Sequence, residues 1–121
     1  MQMRKMKARL TDEAVFLYNC IGKGHSEAMT AFVLSVVSGI DERTVRRHIE
    51  VLNCNGLAVC NKEDGHGYYK PTEIEDIQTS INLTNSRILA LTRKKYGLCK
   101  ALKKLAGDLS HDNEKTNLEK K

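Results

Sequence analysis

The sequence predicts a mainly helical chain with one small β-hairpin and a long helix toward its C-terminal end. Three observations carry this. Between Gly39 and Tyr69 an apolar stripe at helical spacing gives way to two short β-type runs around a polar loop. From Ile74 to Leu105, isoleucine and leucine recur at alternating steps of three and four residues. Glycine and proline punctuate the chain repeatedly up to Pro71, and neither appears again until Gly97.

Composition narrows the classes. Over 121 residues, 40% are hydrophobic and 29% charged, which suits one folded domain with a modest core plus an extension. Six aromatics (Phe16, Tyr18, Phe32, Tyr68, Tyr69, Tyr96) and no Trp supply a base-stacking platform for single-stranded nucleic acid only poorly. The net charge of +5 suits a polyanionic partner. Its distribution says more: residues 1–70 hold ten Lys/Arg against eight Asp/Glu, whereas Ile77–Gly107 holds seven bases and no acid.

Cys20, Cys54, Cys60 and Cys99 form no C-x-x-C pair, so neither a disulfide scaffold nor a zinc site is expected. No metal or other cofactor is expected, since the four histidines lack partners at ligand or triad spacing. Gly22-Lys23-Gly24 lacks the phosphate-loop pattern. The expectation is a binding protein and not an enzyme. MQMRKMKARL is basic without an apolar run, and no stretch approaches membrane-spanning length, so the expected location is cytoplasmic, with no membrane partner.

Residues 1–10 read as a basic flexible N-terminus, either a frayed start or an arm that touches phosphate. Thr11 opens a helix with Asp12 and Glu13 in its first turn, where acids suit the helix dipole, and Ala14, Leu17, Tyr18 and Ile21 form its apolar face. Gly22–Gly24 stops it. His25–Thr30 is a connection with an extended pair at Ala28-Met29. Thr30 caps a second helix, Ala31–Val37, heavily apolar through Phe32, Val33, Val36 and Val37.

Ser38-Gly39-Ile40 is a turn, with Gly39 free to take a positive φ and Ile40 pointing inward. Asp41 then caps a third helix. Val45, Ile49 and Leu52 fall on one side of it, and Arg43, Arg46, Arg47 and Glu50 on the other. Asn55-Gly56 ends it. Leu57–Cys60 and Tyr68–Lys70 read as two strands around the loop Asn61–Gly67. The order helix, glycine turn, capped arginine helix is a helix-turn-helix, and the hairpin adds a wing.

GIDERTVRRHIEVLNCNGLAV followed by GYY resembles the core of bacterial winged helix-turn-helix regulators, in particular small prophage-encoded ones in which the aromatic pair precedes a long C-terminal helix. The resemblance spans residues 11 to about 105. It implies that Glu42–Glu50 faces the DNA major groove and that the tip Lys62–His66 reaches a flanking phosphate or the minor groove. The tip also holds Glu63 and Asp64, which repel phosphate.

Pro71 closes the hairpin, and Thr72-Glu73-Ile74-Glu75 reads as a capping box. The helix expected over Glu73–Ala106 would be about 50 Å long. Its seam is Ile74, Ile77, Ile81, Ile88, Leu91, Leu98, Leu102 and Leu105, with Thr84 and Lys95 at the two remaining positions. Such a seam calls for a partner, and a coiled-coil homodimer supplies one. A break at Gly97, folding two shorter helices back on the head, is the alternative. The basic run Arg87–Lys104 is either solubilising charge or a further phosphate-binding surface. Residues 107–121 read as a disordered tail.

The expected domains are therefore 1–10, a winged helix-turn-helix at 11–71, a dimerisation helix at 72–106 and a tail at 107–121. The expected function is sequence-specific double-stranded DNA binding as a homodimeric transcriptional regulator. Glu42, Arg43, Thr44, Arg46, Arg47 and Glu50 would make the helix contacts, and Lys62, His66, Tyr68 and Lys70 those of the wing. Two alternatives stay open: a winged-helix module that docks on another protein, and an architectural, nucleoid-type DNA binder.

Overall fold

The structure, a computed structural model, describes residues 9–62, 65 and 67–114, with side chains as far as Leu109. The elements run α1 (Asp12–Cys20), a 3-10 turn (His25–Glu27), α2 (Ala31–Ser38), α3 (Glu42–Cys54), β1 (Cys60–Asn61), β2 (Tyr68–Tyr69) and α4 (Ile74–Glu114). It is thus mainly helical, with a two-stranded antiparallel hairpin and a long C-terminal helix. The chain divides into two units, Met1–Ile81 and Asn82–Lys121.

In the first unit each short helix starts where a side chain can satisfy its orphan amides. The Thr11 hydroxyl accepts from the Ala14 N–H at 3.2 Å, and the Thr30 hydroxyl from the Val33 N–H at 3.1 Å. Each such threonine cap stabilises its helix by about 1 kcal/mol. Asp41 accepts the Thr44 N–H at 3.2 Å and the Thr44 hydroxyl at 2.7 Å. Gly39 ends α2 in the left-handed region at φ 79°, donating its N–H to Ser35 O at 2.8 Å. The chain thereby turns from α2 into α3 within three residues.

The core gathers Ala14, Leu17 and Ile21 with Ala31 and Leu34 of α2, Ile40 of the turn and Val45, Ile49 and Leu52 of α3. Val59, Cys60 and Tyr69 close it from the hairpin side. Each fully buried Leu or Val contributes roughly 1.5–3 kcal/mol of transfer free energy. The i, i+4, i+7 stripe of α3 is therefore what aims its other face outward.

Two β expectations are corrected. The first strand begins at Cys60 and not at Leu57, because the Asn53 side chain takes both backbone groups of Val59. Its Oδ1 accepts the Val59 N–H at 2.8 Å, and its Nδ2 donates to Val59 O at 3.2 Å. Lys70 leaves the hairpin pairing and bridges Lys23 instead, while Tyr68 and Met29 exchange N–H···O bonds of 2.9 and 2.7 Å. Of the extended pair expected at Ala28-Met29, Met29 forms a third, single-residue edge to the hairpin, and its connection also carries the 3-10 turn.

Helix α4 begins at Ile74, one residue after the expected start. Thr72 consequently lies two residues outside the helix, and the expected capping box gives way to a backbone bond from the Asp76 N–H to Glu73 O at 3.1 Å. The helix runs unbroken through Gly97 and Gly107 to Glu114, so the break at Gly97 does not occur. The segment to Glu114, read from sequence as tail, is helical. An interior glycine costs about 1 kcal/mol relative to alanine, which a long helix absorbs.

Candidate functional site

The outward face of α3 carries the most concentrated chemistry in the first unit. Arg43, Arg46, Arg47 and Glu50 are exposed, with Glu42 and Thr44 half-buried beside them. Arg46 Nη2 lies 3.2 Å from Glu42 Oε1, one turn earlier. Glu50 also stands one turn from Arg46, but the i, i+4 carboxylate on the N-terminal side takes the guanidinium. Among the described residues, Arg43, Arg47 and Glu50 form no ion pair, which leaves two guanidinium forks and one carboxylate open to a ligand.

Thr44 is committed to the cap. Its hydroxyl, then its amide, bond to Asp41 and hold that carboxyl below its ordinary pKa. A methyl contact remains possible for Thr44, but its hydroxyl proton is taken. On the flank facing α1, His48 Nε2 meets Glu13 Oε1 at 2.7 Å, a tie between α1 and α3 with no signature in the sequence.

The four wing residues divide. Lys62 is half-buried, with its backbone held in the loop by bonds to Gly67 and Gly65. His66 falls outside the described residues, as do Glu63 and Asp64. Tyr68 packs against the core, and the Lys70 ammonium sits 4.6 Å from the centroid of the Tyr18 ring. The hairpin thus spends Tyr68 and Lys70 largely on the head itself.

At the base of the hairpin a polar cluster fastens the first turns of α4. His25 Nε2 lies 2.8 Å from Tyr69 Oη and 3.6 Å from Asp76 Oδ1, with the His25 and Tyr69 rings edge to face. Ser80 donates to Cys60 Sγ at 3.3 Å, and the thiol contacts Asp76 O at 3.7 Å. Burial pushes the Cys60 pKa up, which suits a packed thiol and not a nucleophile. Residues 44 positions apart meet here, so no local pattern could have announced the cluster.

Two apolar surfaces are left bare. On α2 only Ala31 and Leu34 go inward, whereas Phe32, Val33, Val36 and Val37 are exposed, Phe32 at 62% and Val36 at 67%. On α4 all eight expected seam residues are exposed, and Leu109, one further step of four, extends the row. Leu91, Lys94, Lys95, Leu98, Cys99 and Leu102 line a shallow open groove along it. Among the described residues no group of His, Cys, Asp and Glu is arranged to hold a metal ion, and no helix is long and apolar enough to cross a membrane. Comparison with protein-family models, with curated proteins and with solved structures finds no match, so a role has to be read from these side chains themselves.

Proposed function

We propose that this chain binds double-stranded DNA sequence-specifically through α3, in the manner of a winged helix-turn-helix, and acts as a homodimeric transcriptional regulator joined through α4. The observation that carries this reading is the pair Arg43 and Arg47, exposed and, among the described residues, without an ion-paired carboxylate, on a helix held by a capped three-residue turn. Arginine reads guanine O6 and N7 with two parallel bonds, each pair worth about 1–3 kcal/mol of discrimination. Glu50 can accept from cytosine N4 on the same face. The Arg46–Glu42 pair opens when a phosphate or a base edge offers Arg46 a better acceptor.

A selection from random duplexes on the purified protein, followed by binding titrations, tests this. One enriched sequence is expected, with affinity falling steeply as salt rises. Arg43→Ala and Arg47→Ala are each expected to weaken binding tenfold or more while leaving the oligomeric state unchanged. Arg46→Ala should weaken it less, because Glu42 already neutralises part of its charge. Equal binding by all three variants would overturn the assignment, and binding without sequence preference would make the protein architectural.

A second reading is a protein-docking module, and the bare face of α2 favours it. The stretch from Ala28 to Ile40 holds no charged residue, so Phe32, Val33, Val36 and Val37 suit an apolar protein surface and not a phosphate backbone. Salt-insensitive capture of a partner, abolished by Phe32→Ser with Val36→Ser, would support it.

A further inference from the structure

We infer that the side of α4 bearing Arg93, Lys100 and Lys104 is a second phosphate-binding surface, which takes the backbone of duplex DNA without reading its sequence. The choice of a duplex as the polyanion rests on the DNA reading above. The three cations stand seven and then four residues apart, so they fall within about 40° of one another around the helix. They lie nearly opposite the row of Leu91, Leu98 and Leu102. All three are exposed, and among the described residues none forms an ion pair. Tyr96, 74% exposed beside them, adds a hydroxyl of the kind that bonds phosphate oxygens. The stripe is about 16 Å long. Over that length one strand of a duplex presents about five phosphates.

Simpler roles for these charges fit less well. Solubilising charge on a helix is ordinarily mixed in sign, with opposite charges spaced i, i+4. Here Ile77–Gly107 holds seven bases and no acid, and Lys100 and Lys104 are like charges at that very spacing. An external polyanion relieves the repulsion. The helix dipole favours cations only within the last turn. Lys104 stands about three turns before Glu114, the last helical residue. A lipid surface is disfavoured by the apolar side of the helix. Lys95 lies in the groove among Leu91, Leu98, Cys99 and Leu102, where a membrane-lying helix would have to sink its ammonium. Such helices also put Trp or Phe on the apolar side, whereas α4 has neither and carries Tyr96 beside the cations.

The test compares two full-length double variants that lose the same charge. Arg93→Gln with Lys100→Gln cuts the stripe, while Arg87→Gln with Lys94→Gln removes cations from the flank of the apolar row. Glutamine keeps the helix propensity of both sites, and circular dichroism checks helix content. Each chain is titrated at several salt concentrations with a random-sequence duplex and with the selected duplex. The stripe variant should bind both about tenfold more weakly, with a log–log salt slope shallower by about 2. The flank variant should stay within about twofold of the parent, and Arg93→Lys with Lys100→Arg should bind as the parent does. Equal losses for the stripe and flank variants would reduce the effect to net charge and overturn the proposal. So would an unchanged stripe variant. Vesicles of phosphatidylcholine and phosphatidylserine in equal parts form the third arm. If the stripe variant loses only vesicle binding, the surface is a lipid one and the proposal falls. A parent that prefers no sequence, yet weakens with the stripe variant, would keep this surface and remove the α3 reading. A parent that binds no duplex would remove both.

Discussion

His48 of α3 meets Glu13 of α1 across 2.7 Å, with the imidazole largely covered and the carboxylate largely open. This bond ties the arginine-bearing helix to the first helix from outside the core. Glu13→Ala should lower stability by about 1 kcal/mol or less, because the acid is solvent-screened. Glu13→Gln, which keeps an acceptor, should lower it less. Urea unfolding of both variants checks the order, and a larger loss for Gln than for Ala would contradict the contact.

Gly39 sets the angle between α2 and α3. A Cβ added there has no atom within 4 Å to meet, so Gly39→Ala would pay only in backbone strain at φ 79°. That strain is about 1–2 kcal/mol. The expected result is a destabilised head with duplex affinity reduced alongside it, read by thermal unfolding and by titration on the selected duplex.

Gly97 is the opposite case. It lies inside α4, and an added Cβ likewise meets nothing. Gly97→Ala should therefore stabilise the helix by about 1 kcal/mol. A higher midpoint in thermal circular dichroism is the expected outcome, and a lower one would show that the helix is not continuous at this point.

Much of the fold was legible because its signals are local. The three threonine and aspartate caps, the glycine turn and the Val45, Ile49, Leu52 stripe each act within one or two helical turns, where residue type and spacing suffice. The candidate site was legible to the same depth: the stripe that buries one face of α3 exposes the arginines on the other. Which carboxylate takes Arg46 was not, since Glu42 and Glu50 both stand within a turn of it and rotamer geometry decides.

Sequence alone determined the order of helices, the placement of the hairpin and the heptad spacing of α4, all of which follow from periodicity and punctuation. Tertiary structure decided the rest. Helix α2 is apolar on nearly every side, so only packing selected Ala31 and Leu34 for the core and left Phe32 and Val36 outside. Only the fold brought Asn53 to Val59 and shortened the first strand, turned Lys70 onto Tyr18, and joined His25, Tyr69 and Asp76. These contacts depend on where separate elements meet, and that is set by the summed burial of the core and not by any one stretch of chain.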